Sequence, residues 1–275
     1  MLRVRPRTIL IHAFAWGLAV AWLFPFVGLA MAAFRPLPEI IGGWWNFDRF
    51  TPSFDKFVGA FNAMEIGLRN SLLIAIPGTL IPMFVATLAG YGFARFSFPI
   101  RDYFFLTIVV LMTIPQQMVA IPIFRIMLGL GLANTVLSLI VLHSAWGLPW
   151  IVLFMRNFFS ALPKDVEEAA RVDGASDFKV FFKIVLPMAL PALGAVAVLQ
   201  FMWVWNDFFF SILLCPANPA CMPATVALVR TIGKFEFDPG LLAAGSILVM
   251  LVPVALYILL QKYYIRGMIG WTVKG

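Results

Sequence analysis

Apolar residues run through this chain in long stretches that short polar segments separate. A stretch of about 20 mainly apolar residues is long enough to cross the hydrocarbon core of a bilayer as an α-helix. The pattern therefore predicts an all-α integral membrane protein. The six stretches that we predict to be transmembrane helices are residues 9–33, 69–92, 103–123, 136–154, 188–214 and 241–260.

Prolines interrupt several of these predicted spans. Pro77 and Pro82 lie in the second span, and Pro115 and Pro122 lie in the third. Inside a membrane, the backbone groups that a proline frees must be satisfied by neighbouring helices or by a water-filled cavity. Kinked helices therefore fit a bundle around a pathway, although they also occur in membrane bundles of other kinds.

The first apolar stretch begins behind the basic segment MLRVRPR, as a signal peptide does. It is long enough to span a membrane, and the residues MAAFRP near its end make a poor cleavage site. We therefore predict a retained first helix and a single transmembrane domain over residues 1–275. The composition agrees, since 62% of the residues are hydrophobic and only 12% are charged, against about 25% charged in a soluble domain.

Lysine and arginine are distributed unequally between the two sides of the predicted bundle. Thirteen lie in the two termini, in the segment ARFSFPIRD and in residues 156–187, whereas six lie in the opposite connections. Because cytoplasmic loops collect Lys and Arg, we predict that both termini and the loop 156–187 are cytoplasmic. The net charge of +7 then follows from membrane topology, and the scatter of basic residues argues against a nucleic-acid partner.

The cytoplasmic loop contains a charged segment, residues 165–187, whose helix signals divide it in two. Ser160 is suited to cap a first helix that has Pro163 in its opening turn. Gly174 is suited to the left-handed turn that ends this helix, and Ser176 to the cap of a second one. The segment therefore predicts two short helices joined at a glycine.

The first of these helices has a narrow apolar face. This face consists of Val166, Ala169, Ala170 and Val172. Such a face permits close approach to another surface, which is either the membrane interface or a groove of another protein. Acidic residues in the first turn, Asp165, Glu167 and Glu168, argue mildly for the protein groove.

The segment contains the spacing Glu-Ala-Ala, three residues, Gly, nine residues, Ile, one residue, Leu-Pro. This spacing resembles the signature of the permease subunits of bacterial ABC importers. In that family the loop forms coupling helices that dock into a groove of a cytoplasmic ATPase, so the resemblance implies the type I importer permease fold with six transmembrane helices. The residues that it implies for ATPase coupling are Glu167, Glu168, Ala169, Ala170, Asp173, Gly174, Ile184, Leu186 and Pro187.

Further stretches resemble the carbohydrate-uptake branch of that family, and specifically its maltose-type second permease. They include RNSLLIAIPGTL, LAGYGFARFSFPIRD, IPQQMVAIPIFRIMLGLGLANT and FMWVWNDFFFSILL. The resemblance implies multi-pass insertion in a bacterial inner membrane and uptake of a sugar or related polyol. The partners that it implies are a second homologous permease, two ATPase subunits that bind ATP and Mg²⁺, and an extracytoplasmic solute-binding protein.

Residues 34–68 match that family least well. They are rich in tryptophan, phenylalanine, proline and acidic residues. The segment is therefore either an outer loop that contacts an external partner or an aromatic belt at the level of the lipid headgroups.

The sequence shows no enzyme motif. The Walker A pattern is absent, because Phe235 follows Gly233-Lys234 and Leu228 stands at the position of the first glycine. His12 and His143 have no HExxH or Cys/His arrangement around them. We therefore predict a non-catalytic chain that binds no cofactor or metal itself.

Asp207 is the only acidic residue well inside a predicted span. A charge there is costly and needs a partner or water. Because aromatic faces and amide or carboxylate groups suit sugar rings and hydroxyls, Trp205, Asn206 and Asp207 are candidates to line a substrate pathway. The alternative is a structural polar clasp between helices, and His143 is open to the same two interpretations.

Cys215 and Cys221 lie at the outer end of the fifth predicted span. In an oxidising compartment they would close a small disulfide loop. Two free thiols are the alternative.

Two other functions stay open at the level of the sequence. One is an ABC permease for a different solute, because the coupling motif is shared among branches. The other is a self-contained secondary transporter or channel, which would be expected to show intramembrane charges for ion coupling and an internal repeat. The sequence shows neither clearly.

Overall fold

The computed structural model describes residues 6–43, 45–47, 50–234 and 238–269. Within these ranges the chain is largely helical and contains no β-strand. A π-helix, Phe181–Val185, joins α8 to α9. The α-helices are α1 (Pro6–Ala33), α2 (Leu37–Ile41), α3 (Asp55–Arg95), α4 (Arg101–Leu111), α5 (Gln116–Gly129), α6 (Val136–Ala161), α7 (Asp165–Val172), α8 (Asp177–Val180), α9 (Leu186–Met188), α10 (Leu190–Trp205), α11 (Phe209–Leu214), α12 (Ala224–Lys234) and α13 (Pro239–Ile269).

Four of the described helices, α1, α3, α6 and α13, are long and apolar enough to cross a membrane. Two bent pairs qualify if each pair counts as one span. They are α4 with α5, which meet at 98°, and the segment Asp177–Met188 with α10, which meet at 71°. The described part of the chain therefore offers four to six spans, and each of the six predicted stretches overlaps one of them.

The helix that contains the second predicted span is much longer than its apolar stretch. α3 has 41 residues and begins at Asp55, whereas the predicted span begins at residue 69. Hydropathy sets the predicted boundary, because charged residues precede it. Charged residues do not end a helix, and no proline occurs in α3 before Pro77. Pro77 and Pro82 lie inside α3 without ending it.

The prediction of one helix over residues 103–123 is wrong. α4 ends at Leu111 and α5 begins at Gln116, and the two helices are bent by 98°. Pro115 precedes α5 in an extended conformation, with φ −63° and ψ 134°. A proline disfavours the helical conformation at the residue before it, Ile114, which explains why the break falls here.

The fifth predicted span, residues 188–214, is also broken. α10 ends at Trp205 and α11 begins at Phe209. Asp207 lies in the break, and its Oδ2 accepts a hydrogen bond of 2.8 Å from the backbone N–H of Ser211. An aspartate that bonds nearby backbone groups competes with helix continuation, and this accounts for a break inside an apolar run.

The structure divides into two compact units. The first comprises the chain up to Glu65 together with Ala227–Leu251, and the second comprises Ile66–Val226 together with the chain from Val252. Alanines let the helices of the first unit approach closely, since Ala33, Ala60 and Ala244 are buried against one another. Small residues play this part at helix interfaces in membranes. The single domain over residues 1–275 stays a prediction.

The second unit has an aromatic core between α3, α6 and the π-helix. Rings of Phe159 and Phe181 pack around Tyr91, with centroids 5.6 Å and 4.8 Å from it. Gly90 lets α3 and α6 approach closely, because a Cβ there would lie 2.9 Å from the backbone nitrogen of Arg156. This core supports the segment that contains α7 and α8.

Candidate functional site

The segment predicted for ATPase coupling folds as two short helices around a glycine. Gly174 follows α7 with φ +84°, a left-handed conformation that glycine adopts without steric cost. Ser176 Oγ accepts a hydrogen bond of 3.4 Å from the backbone N–H of Lys179 and caps α8. The predicted glycine turn and the predicted second cap are confirmed.

The predicted start of the first helix is wrong. Ser160 lies inside α6, which extends to Ala161. α7 begins at Asp165, and Lys164 before it makes no side-chain cap hydrogen bond. Pro163 accounts for the end of α6, since the residue before a proline is disfavoured in a helical conformation.

An ion pair connects the two short helices. Arg171 Nε donates a hydrogen bond of 2.9 Å to Asp177 Oδ1. This hydrogen bond raises the pKa of the Arg171 guanidinium above its usual value. Both side chains are more than a third exposed, so the pair adds little stability. It joins the last turn of α7 to the first residue of α8.

Most of the predicted coupling residues lie at the surface. Glu168, Ala169, Asp173, Gly174 and Pro187 are exposed, and Ala170, Ile184 and Leu186 are half-buried. Two neighbouring apolar side chains are strongly exposed, Val172 at 88% and Phe178 at 77%. Apolar side chains exposed together on a charged segment suit contact with another protein.

Glu167 differs from the other predicted coupling residues because its side chain is buried. Its Oε1 accepts a hydrogen bond of 2.8 Å from Arg95 Nε, and its Oε2 accepts one of 2.9 Å from the Tyr91 hydroxyl. Arg95 also donates to the carbonyl of Leu162 at 3.2 Å. Within this chain Glu167 therefore fastens α7 to the end of α3 and does not face outward.

The residues predicted to line a pathway meet at the break between α10 and α11, but their surroundings differ. Trp205 is 1% exposed and stacks on Phe201, with ring centroids 5.6 Å apart. It is a core residue of this chain. Asn206 is exposed, and its Nδ2 donates a hydrogen bond of 2.8 Å to the carbonyl of Met202.

Asp207 has the partners that a buried acidic side chain needs. Its Oδ2 accepts hydrogen bonds of 2.8 Å from both the backbone N–H and the hydroxyl of Ser211. His143 Nε2 on α6 lies 3.6 Å from the same oxygen. The Ser211 contacts hold Asp207 to the start of α11, whereas His143 on α6 lies beyond hydrogen-bond length. The clasp and the pathway lining therefore both stay predictions.

Two adjoining cavities lie beside this break and share Leu199 and Trp203 in their walls. One has a volume of about 320 Å³ and the other of about 500 Å³. We call them together the tryptophan cleft. Its principal walls are Trp146, Trp150, Leu199, Trp203, Gln116 and Asn206.

The sequence interpretation missed Trp203, which is 54% exposed in the wall of this cleft. It selected Trp205 instead, because that residue adjoins the polar pair. Residues two apart on a helix do not share a face, whereas residues three or four apart do. The spacing of Leu199, Trp203 and Asp207 at intervals of four was the signal for the exposed face.

Cys215 and Cys221 are joined by a disulfide bond, with their Cα atoms 5.9 Å apart. Asn70 Nδ2 donates to the carbonyl of Pro219 in the loop between them at 2.9 Å and to that of Met222, just after the loop, at 3.1 Å. No group of three His, Cys, Asp or Glu side chains suited to a metal ion occurs among the described residues.

Comparisons with known proteins give the family. Residues 68–270 match the family described as "Binding-protein-dependent transport system inner membrane component". A probable ABC transporter permease protein of Pyrococcus horikoshii is 52% identical over 264 residues, which cover 94% of this chain and 95% of that protein. An osmoprotective compounds uptake permease protein of Synechocystis is 37% identical, over 96% of this chain and 91% of that protein.

A third relative is the arabinooligosaccharides transport system permease protein of Halalkalibacterium halodurans. It is 33% identical over 92% of this chain and 91% of that protein. Among solved structures, one chain of a bacterial ABC transporter that imports the acidic polysaccharide alginate has a TM-score of 0.78 at 22% identity, over 96% of this chain and 99% of that chain. The likeness shows a common fold. The chain therefore belongs to the family of binding-protein-dependent transport system inner membrane components, which are permeases of ABC importers.

Proposed function

We propose that this chain is one of two homologous permease subunits in an ATP-driven, binding-protein-dependent importer of a sugar or related polyol. Two cytoplasmic ATPase subunits bind ATP and Mg²⁺, and an extracytoplasmic protein delivers the solute. This chain contributes no catalytic residue and binds no cofactor in the proposal. Its part is mechanical.

The observation that carries this proposal is the construction of the α7–α8 segment. Its outer surface exposes Glu168, Val172 and Phe178, whereas Glu167 and the core around Phe181 hold its base. A segment whose outer side is exposed to a partner and whose inner side packs on the helix bundle is suited to transmit force between them. It would not be needed if the loop merely connected two spans.

The buried contacts supply the proposed route of coupling. When the ATPase dimer closes, it displaces α7 and α8. Because Glu167 bonds to Arg95 at the end of α3 and Phe181 packs against Phe159 of α6, that displacement reaches two helices long enough to span the membrane. The bundle then changes from inward-facing to outward-facing.

The proposal includes six spans with both termini in the cytoplasm of a cell whose inner membrane holds the complex. Support comes from the excess of Lys and Arg on one side of the predicted bundle. The α7–α8 segment, which carries the coupling signature, lies on that same side. Each bent helix pair counts as one span in this arrangement.

The assignment to sugars is supported by the arabinooligosaccharide permease among the relatives. The Synechocystis relative, named for osmoprotective compounds and 37% identical, favours a second candidate, which is an osmoprotective compound of another solute class. Both candidates use the same coupling mechanism, so a solute panel separates them.

Reconstitution tests the proposed function. The chain is co-purified with the permease, ATPase and binding-protein products of its neighbouring genes and placed in proteoliposomes. Uptake is measured for maltose, arabinotriose, diacetylchitobiose, an alginate trisaccharide and glycine betaine. We expect uptake of at least one neutral sugar that requires both ATP and the binding protein. Uptake by this chain without the ATPase would instead show a secondary transporter or channel.

A further inference from the structure

The tryptophan cleft lies where two interrupted helices meet. Met112 and Gln116 border it from the break between α4 and α5, and Trp203 and Asn206 border it from the break after α10. Within a membrane, backbone outside a regular helix is tolerated where it is buried in protein or lines a cavity. Interrupted helices of this kind form the binding sites of many transporters.

Indole rings form the walls of the cleft, and a hydrogen bond to a buried amide holds one of them, Trp150, in place. Trp150 Nε1 donates a hydrogen bond of 2.8 Å to Gln200 Oε1. Gln200 Nε2 donates in turn to the carbonyls of Gly78 and His143, at 3.1 Å and 3.3 Å. Gly147 makes room for this amide, because a Cβ there would lie 2.5 Å from Gln200 Nε2. The wall is therefore built before any ligand arrives.

His143 borders the cleft, but its Nε2 is buried and lies 3.6 Å from Asp207 Oδ2. That oxygen already accepts two hydrogen bonds from Ser211. The polar side chains that line the wider cavity beside Asp207 are the amides of Gln116 and Asn206.

We propose that the tryptophan cleft is a subsite that binds one uncharged glycosyl unit of the substrate during its passage. The inference rests on the proposed function and specifies which surface of this subunit contacts the sugar. The apolar C–H face of a sugar ring packs on an indole face, and ring hydroxyls bond to the side-chain amides of Gln116 and Asn206. The two cavity volumes, about 320 Å³ and 500 Å³, fall in the range of small-molecule sites, about 300–1,000 Å³.

The charge of the lining argues for a neutral ligand. No Lys or Arg occurs among the described residues that line the cleft, and its one acidic side chain, Asp207, faces His143. A uronic acid would enter without a cation to pair with its carboxylate, and an unpaired charge at such a site is costly. The cleft therefore selects neutral sugars over acidic ones.

A thiol-protection experiment tests the subsite directly. Both native cysteines are bonded to each other, so Leu199→Cys, in a wall residue that both cavities share, supplies a free thiol in the complete reconstituted complex and leaves the indoles of the cleft in place. A cationic methanethiosulfonate reagent labels it with and without the neutral sugar that the wild-type complex takes up fastest. At about ten times its apparent Kd, that sugar should slow labelling about ten-fold by mass action. Pro52→Cys, at an exposed loop position, is the control and should be labelled at an unchanged rate.

Uptake by a second pair of variants completes the test. Trp203→Ala should lower maximal uptake about ten-fold, as loss of an aromatic stacking contact predicts, while Trp203→Phe keeps most of it. Trp22→Ala, which removes an indole that is 72% exposed on α1, is the matched control.

The failures are distinguishable. Uptake of neutral sugars without protection of the Leu199→Cys thiol overturns the inference alone. Equal protection by an alginate trisaccharide overturns the selection of neutral sugars. Absence of sugar uptake by the wild-type complex overturns the proposed function and the inference together.

Discussion

Glu167 shows how one residue can hold a surface segment to the interior. Its carboxylate and the Arg95 guanidinium are 3% and 4% exposed, so both charges have left water. The cost of desolvating both charges offsets most of their attraction, so such a pair contributes little net stability. The hydrogen bonds to Tyr91 and Leu162 reduce that cost. Removal of one partner is much more harmful than the pair is favourable, because the other charge then stays buried alone.

Glu167→Ala should therefore destabilise the protein by about 3–5 kcal/mol and lower the number of sugar molecules imported per ATP hydrolysed. Thermal unfolding of the purified complex and the ratio of uptake to ATP hydrolysis measure the two effects. Asp165→Ala is the matched control, because that carboxylate is exposed in the same turn of α7 and its loss should change stability by about 0.5 kcal/mol or less. Equal melting temperatures for the two variants would contradict the anchoring role.

Asp238 makes the stability of the first unit depend on pH. Burial raises the pKa of its carboxyl, but the hydrogen bond from Lys56 and those from the N–H groups of Leu241 and Gly240 outweigh burial and lower that pKa. The unfolded chain has the ordinary value, about 3.9. A carboxyl with a lower pKa in the folded state stabilises the fold above that value and loses this contribution as pH falls.

Asp238→Asn should accordingly lower stability at neutral pH by about 1 kcal/mol, since the pair with Lys56 is partly exposed. The difference from the wild type should narrow as pH falls from about 5 to 3. Thermal unfolding in detergent across this range measures it, with Lys56→Met as the companion variant. A difference that stays constant over the whole range would rule out the linkage.

At the scale of elements, Gly174 sets the geometry of the α7–α8 segment. A Cβ at this position would meet no atom within 4 Å, but φ is +84°. Gly174→Val should therefore cost about 1–2 kcal/mol through backbone strain alone. It should reduce ATPase co-purification and uptake while membrane insertion persists. Gly174→Asn, which tolerates the left-handed conformation, should keep most of both. Equal loss in the two variants would point to a cause other than φ.

The sequence predicts those elements whose determinants are local. The residue types of Gly174 and Ser176 are enough to predict the left-handed turn and the second helix cap. The break at Pro115 is also a local effect, but hydropathy averaged over a window hides it. Glu167 could not be paired with Arg95, because the contact joins residues 72 positions apart and depends on how α3 and α7 pack.

On the scale of the whole molecule, apolar length identified a membrane protein, and one short charged signature identified the family. Residues 68–270 carry the family match, whereas residues 34–67 lie outside it. Trp44, Asp48 and Arg49 in that segment lie outside the described residues, so its two interpretations, partner contact or aromatic belt, stay predictions. Hydropathy indicates the length of each span, and the family match indicates the class of transporter to which the chain belongs. Orientation depends on charge bias alone and needs its own test.

Single-cysteine labelling tests the orientation of the molecule. In a Cys215→Ser, Cys221→Ser background, Val172→Cys places a thiol on the 88% exposed position of α7, and Pro52→Cys places one in the loop before α3. Cells expressing the chain without the ATPase are treated with a membrane-impermeant maleimide. Because Lys and Arg collect on the cytoplasmic side, Pro52→Cys should react in intact cells and Val172→Cys only after permeabilisation. Reaction of both thiols in intact cells would place α7 outside the cytoplasm and remove the coupling segment from contact with any ATPase.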